Sequence, residues 1–393
     1  MKLFEKSADL SIDPSLDKLL FILSTLIFLS ISPYFIWENQ LLILRIAHLV
    51  GNTIILYIII RYYNFNVNNK ELALFFFIIS LYTMVAGTEI HKFTYIPLLT
   101  ILFISLRPSE QLRIFNYIVT FLAVVYAFGL VSYLLSIFGL NRQIGEAIAP
   151  NIDKEPYKVF FGHVEESFLP VYRFSSIFDE AGVVGTLNGL ILSVIGISRR
   201  NIKSIILLMA GLVSFSLAFY IILLINLLFY FNFKKVLFAI LLLVGVAFFS
   251  GDKFNELIAD RLIIENGTIA GDNRTHDDFD EYFKAFKAKG GNDLIFGRGY
   301  VTADTDDDLT YVSNYKVIIV RYGIIGAGLI LLFYASFVFL TYNSKRGWFL
   351  FLVFTISAYQ RPDMLVLFNI ALFVGGLEYL KQDDENKIKA LKL

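Results

Sequence analysis

The chain has 393 residues, of which 57% are hydrophobic and only 17% charged; soluble domains run at about 45–50% and about 25%, so this composition defines a polytopic membrane protein. Its 34 basic and 34 acidic residues cancel, which gives no reason to expect nucleic acid or another polyanion as a partner. Cysteine is absent, which excludes disulfides, thiol nucleophiles, thiolate metal sites and iron–sulfur clusters together.

The N-terminal stretch MKLFEKSADLSIDPSLDKLL lacks a small-residue cleavage site after a short apolar core, so the first apolar run is expected to stay in the protein as a span. A bilayer core of about 30 Å asks for about 20 apolar residues per helix, and about twelve runs approach that length. They lie at 18–37, 41–61, 71–87, 93–106, 112–139, 181–198, 202–215, 216–232, 235–250, 317–342, 347–359 and 362–380. The stretch 202–232 is long enough to be one helix or two short ones, with Ser214 and Ser216 marking the break. The whole chain, 1–393, reads as a single integral membrane domain.

Lysine and arginine placement fixes the expected orientation. With twelve runs, the segments on the side of the N-terminus hold eighteen Lys and Arg, and the short turns on the other side hold only Lys92 and Arg361. Both termini are therefore expected in the cytoplasm. A single helix over 202–232 would put Lys234 and Lys235 on the wrong side, which favours two.

Two connections on the outer side, 140–180 and 251–316, are much longer than ordinary turns, and connections of that length usually carry function. In the second, FNELIADRLIIE and DDFDEYFKAFKAKG space their apolar residues as amphipathic helices lying on the membrane face. The acidic run at 304–308 lacks the ligand spacing of a calcium loop, and no metal or cofactor is expected.

The candidate site residues border these connections. In RFSSIFDEAGVVGT, Arg173 offers bidentate bonds to phosphate oxygens, while Asp179 and Glu180 stand at a helix start where either carboxylate can take a proton from a hydroxyl or serve the helix end. Asp179 is the expected N-cap. Gly182, Gly185 and Gly189 form a small-residue stripe suited to close helix packing. Farther on, Arg274 and His276 precede the amphipathic pattern, Arg298 sits between Gly297 and Gly299, and Tyr315, Lys316 and Arg321 lead the next apolar run. The four cations Arg274, Arg298, Lys316 and Arg321 make an expected cationic shelf for a pyrophosphate-bearing lipid, with snorkelling or non-specific lipid binding as the alternative.

These segments, in this order, resemble the Wzy-type polymerases of bacterial O-antigen, capsule and exopolysaccharide, and the related O-antigen ligases. The resemblance rests on RFSSIFDEAGVVGT, NRTHDDFDEYFKAF with LIFGRG, and SNYKVIIVRYGIIG, and covers about residues 165–330. It implies a GT-C-like membrane glycosyltransferase that takes a glycan from an undecaprenyl-pyrophosphate carrier and passes it to an acceptor hydroxyl at the outer face of the inner membrane. Arg173 and Arg274 match the arginines that hold the donor pyrophosphate in that family, and Glu180 is the candidate base. The ligases carry a histidine before the asparagine that matches Asn314; here that position is Ser313, which favours polymerase over ligase and shifts attention to Tyr315 and Lys316. The implied partners are the carrier-linked oligosaccharide, membrane lipids, and the chain-length regulator and flippase of the same pathway. A transporter of lipid-linked oligosaccharide is the reading from another class; the scarcity of mid-span charge argues against it.

Overall fold

The computed structural model describes residues 13–64, 80, 98–148, 156–165, 173–230, 237, 241, 244–245, 264–265, 268–269, 277–298, 315–361 and 364–391. The described residues are mostly helical, 78%. Among the described residues, three stretches are long and apolar enough to cross a membrane: Tyr34–Tyr63, Pro108–Ile137 and Tyr315–Thr341. Ala181–Ile195, Ile202–Val213 and Leu217–Phe229 are shorter apolar helices. This is the composition and architecture of a helical membrane protein.

Local sequence sets the helix starts. Helix α1 (Pro14–Leu29) opens on Pro14 with the Asp13 carboxylate accepting from the Ser15 amide at 2.8 Å. A 3₁₀ turn, Tyr34–Asn39, leads into α2 (Gln40–Tyr63). Residues 98–104 are helical, and α3 (Pro108–Ile137) begins on a proline with Glu110 reaching back to the Arg107 amide at 3.0 Å. Of the expected run at 71–87 only residue 80 is described, and most of 235–250 lies outside the described residues.

The stretch 202–232 is two helices, and they run in opposite directions. Helix α4 (Ala181–Ile195) is the reference for both α5 (Ile202–Val213) and α6 (Leu217–Phe229). The Ser204 hydroxyl donates to Gly196 O at 2.8 Å, while at the other end of α5 Val213 O accepts from the Phe174 amide, so α5 descends along α4. A Cβ at Gly185 would overlap Ser216 and one at Gly189 would press on Ile222, while Asn226 donates to the Ser193 hydroxyl at 2.6 Å, so α6 rises with α4. The reversal takes three residues, with Phe215 at φ 48°. The glycine stripe thus lets α4 and α6 approach closely, as its spacing predicts.

The first long connection adds strands to a chain expected to be built of helices. It holds a three-stranded antiparallel sheet of β1 (Gly145–Ala147), β2 (Tyr157–Phe160) and β3 (His163–Glu165), in that order. Trp37, Tyr157, Val159 and Val164 form a small apolar cluster beneath it. The Val164 amide donates to Ser176 O at 2.8 Å, which ties the sheet to the segment before α4. His163 is fully buried here between the Phe160 and Phe174 rings rather than on the surface.

In the second connection, β4 (Ile264–Glu265) pairs with β5 (Thr268–Ile269). The remainder of the FNELIADRLIIE pattern lies outside the described residues. Helix α7 (Asp277–Lys289) forms where the amphipathic pattern predicts it, followed by α8 (Gly291–Phe296). Its apolar face does not lie on the membrane as expected. Phe279, Phe283 and Phe286 pack on Val317 and Val320 of α9 (Tyr315–Thr341), a better burial for three rings than a lipid headgroup layer. Helices α10 (Lys345–Gln360) and α11 (Leu367–Leu391) complete the bundle.

The ends of the bundle differ in character. At one end Arg113 bonds Asp17 at 2.9 Å, the Arg107 guanidinium lies 4.3 Å over the Tyr63 ring, and Phe115 packs on Tyr379. The same end holds Arg346, bonded to Asp383 at 2.7 Å and to Asp384, with Lys387 on Asp383 at 2.6 Å. These pairs let α11 continue past the expected stop at residue 380 through KQDDENKIKA. Burial pushes the Asp383 carboxyl up, but the hydrogen bonds from Lys387 and Arg346 outweigh it and hold the group below its ordinary 3.8. A carboxyl depressed in the fold contributes its stability above its unfolded value and loses it as pH falls through the folded one. Acidification below about pH 4 is therefore expected to loosen the α11 tail, read as faster proteolysis after residue 381, and Asp383→Asn should flatten that pH dependence.

Candidate functional site at the loop end

The opposite end gathers both long connections. Arg173 does not project freely from the segment before α4. Its Nε donates to Ser214 O at 3.2 Å and one terminal nitrogen to Phe215 O at 3.1 Å. The last carbonyls of a helix have no partners within it, and Arg173 supplies donors and positive charge where the α5 dipole is negative. With the Phe174 amide on Val213 O at 3.1 Å, this segment closes the reversal between α5 and α6.

The carboxylates divide differently from expectation. The N-cap position of α4 belongs to Glu180, in extended conformation at φ −135° and ψ 136°, and its side chain makes no capping bond. Asp179 precedes it, and its backbone carbonyl accepts from the Tyr157 hydroxyl at 3.0 Å. The Glu180 carboxylate instead meets Arg361, whose side chain is only 18% exposed against 39% for the glutamate.

Arg361 is the residue that the sequence reading left out, beyond its place in the count of charges. It caps α10 at φ −138° and ψ 98°, the extended geometry imposed on a residue that precedes a proline, here Pro362. That steric rule aims the arginine out of the helix and toward α4. The signal was an arginine directly before proline at the end of an apolar run. Two residues earlier, Tyr359 stacks on Tyr315 with centroids 5.0 Å apart and planes at 20°. The end of α10 therefore meets both the start of α9, through Tyr359 and Tyr315, and the start of α4, through Arg361 and Glu180.

Two of the four cations of the expected shelf are paired with carboxylates. Lys316 bonds Asp280 of α7 at 2.6 Å. Arg298 bonds Asp293 at 3.3 Å and donates to the Tyr282 hydroxyl at 2.6 Å, its guanidinium lying over the rings of Tyr282 and Phe286. Gly297, expected to bring the backbone close to a ligand, brings it to the protein's own chain. A Cβ there would overlap the Arg321 carbonyl, and the Arg298 amide donates to Val320 O at 2.8 Å. Arg321 is half-buried at this crossing. Arg274 and His276 lie outside the described residues. Of the expected site, the structure brings Glu180 and Tyr315 each against the end of α10, and it commits Arg298 and Lys316 to holding α7 and α8 against α9.

Similarity to known proteins adds nothing to this picture: no protein-family model, curated protein or solved structure matches the chain.

Proposed function

We propose that the chain is a membrane glycosyltransferase that polymerises undecaprenyl-pyrophosphate-linked oligosaccharide repeat units into a surface polysaccharide, at the outer face of a bacterial inner membrane. In this reading it has about twelve spans, a GT-C-like plan and cytoplasmic termini. One observation carries the proposal. Two of the three segments that resemble the polymerases, the one leading into α4 and the one opening α9, meet the end of α10 at a single end of the bundle through Glu180–Arg361 and Tyr315–Tyr359.

The chemistry needs no metal in this reading. The bond between the donor's anomeric carbon and the pyrophosphate oxygen breaks, and an acceptor hydroxyl oxygen forms the new glycosidic bond. Pyrophosphate leaves readily once its developing charge is met by guanidinium groups, so most of the work is orientation and electrostatics. Arg173 and Arg361 are the assigned cations, with Arg274 carried over from the resemblance. When pyrophosphate draws Arg361 away, the Glu180 carboxylate is released to accept the hydroxyl proton, which couples donor binding to the availability of the base.

The direct test supplies the purified protein with lipid-linked repeat units alone. A ladder of polymer is expected. Transfer only to an added lipid or protein acceptor would identify a ligase, and movement of intact lipid-linked units across vesicles without new glycosidic bonds would identify a transporter. Orientation is tested separately in this cysteine-free chain. A cysteine at Glu146, exposed on β1, is expected to react with an impermeant maleimide in spheroplasts, and one at Lys389 only after the membrane is opened. The reverse pattern would invert the topology.

A further inference from the structure

At the end of the bundle remote from that site, a surface groove of about 490 Å³ opens between the C-terminal turn of α6 and the first two turns of α10. Its wall is apolar. The Phe229 and Phe349 rings stack with centroids 3.9 Å apart, and Trp348 and Leu352 stand beside them, 40% and 49% exposed. Its rim is polar, formed by Asn343, Ser344 and Lys345 of the turn between α9 and α10. Lys345, Trp348 and Leu352 are three and four residues apart, so they line one stripe of α10 from the polar rim down the apolar wall.

Charge at the rim is unbalanced in one sense. Arg346 is held by Asp383 and Asp384, and Lys387 also bonds Asp383, so these four groups cancel. Lys345, their neighbour on the exposed side, has no carboxylate partner among the described residues. Trp348 is fixed with its ring against the groove by donating Nε1 to Asn343 Oδ1 at 2.9 Å. A volume within the roughly 300–1,000 Å³ usual for ligand sites, an apolar wall and a single uncompensated cation at its mouth are complementary to one kind of molecule. An acyl chain covers the rings while a phosphodiester meets the ammonium, and tryptophan is enriched at this depth of a membrane.

We propose that this groove binds an anionic phospholipid, with its phosphodiester on Lys345 and an acyl chain along Trp348, Phe349, Leu352 and Phe229. The inference is independent of the glycosyltransferase reading, because the groove lies at the other end of the bundle. An occupant there clasps α6 to α10.

The test is native mass spectrometry of the full-length protein released from mixed micelles containing equal amounts of dioleoyl phosphatidylglycerol and dioleoyl phosphatidylcholine. The wild type is expected to retain the anionic lipid with about fivefold preference, the effect of one lysine near a membrane surface. Lys345→Gln should abolish the preference, and Lys387→Gln, which removes a cation already bonded to Asp383, should keep it. Trp348→Ala should lower retention of the anionic lipid with Lys345 intact. Equal retention of the two lipids, or an unchanged preference in Lys345→Gln, would overturn the proposal. So would displacement of the lipid by millimolar inorganic phosphate, which would show a phosphate site rather than a lipid one. If Trp348→Ala fails to fold, the lysine variants still decide the matter.

Discussion

Gly323→Ala should destabilise the protein by about 3 kcal/mol or more, a large share of the roughly 5–15 kcal/mol that holds a typical domain together. Two independent costs combine. Gly323 interrupts α9 at φ 66° and ψ 178°, a region of backbone space essentially reserved for glycine, and forcing another residue there costs about 1–3 kcal/mol. Its missing side chain also leaves room for α8. A Cβ at Gly323 would overlap the Ile295 carbonyl and crowd the Gly297 amide, and a Cβ at Gly297 would overlap the Arg321 carbonyl in return. Overpacking of such a crossing adds about 1–3 kcal/mol. The two glycines therefore act as one joint, and the double variant should cost less than the sum of the singles. Gly328→Ala, on the same helix with nothing within 4 Å of the added carbon, serves as the control. There helix propensity favours alanine by about 0.5–1 kcal/mol. Thermal unfolding in detergent reads the wild type beside these four variants, and a Gly323→Ala variant that melts with the wild type would refute the joint.

What could be read from the sequence was what local pattern determines. The Phe279, Phe283 and Phe286 spacing gave the apolar face of α7 but not its seat on α9, and the serines at 214 and 216, with charge placement, gave the division of 202–232 into α5 and α6. The starts of α1 at Pro14 and α3 at Pro108 lie four residues ahead of the expected apolar runs, because polar capping residues, not apolar ones, set them. The sheet over 145–165 escaped because its strands are only 3 or 4 residues long, too short to show an alternation, and its cluster is completed by Trp37 from more than a hundred residues away. The pairing of Ile264–Glu265 with Thr268–Ile269 had a signal, the Asn-Gly dipeptide between them, which is a strong hairpin marker. At the site, counting cations found the arginines but could not find their partners. Asp280 and Asp293 reach Lys316 and Arg298 only because α7 and α8 fold back onto α9. The ion pair at the centre of the proposal joins residues 181 apart in the chain, beyond the reach of any local pattern.

That ion pair supplies the most informative functional test, because its structural and its chemical value can be separated. Arg361→Gln is expected to reduce polymer formation at least 100-fold, a loss comparable to removing one donor from an electrostatic site. Taken alone this result is ambiguous, since Glu180 would be left half-buried without its partner and the start of α4 would suffer. Exchange of the two charges removes the ambiguity. Glu180→Arg with Arg361→Glu in the same chain keeps opposite charges facing each other, so thermal stability should return to within about 1 kcal/mol of wild type. Polymerisation should not return, because a cation at position 180 and a carboxylate at 361 reverse the field that the pyrophosphate and the acceptor hydroxyl would meet. Arg173→Lys adds the complementary control at the helix reversal. Lysine keeps the charge near Ser214 O but cannot bond Ser214 O and Phe215 O with the planar fork of arginine, so both stability and turnover should fall together. Full activity in the exchanged variant would reduce the Glu180–Arg361 pair to a clasp between α4 and α10. Recovered folding without recovered activity would place it in the chemistry, with the base and its gating cation held in a single contact until the donor arrives.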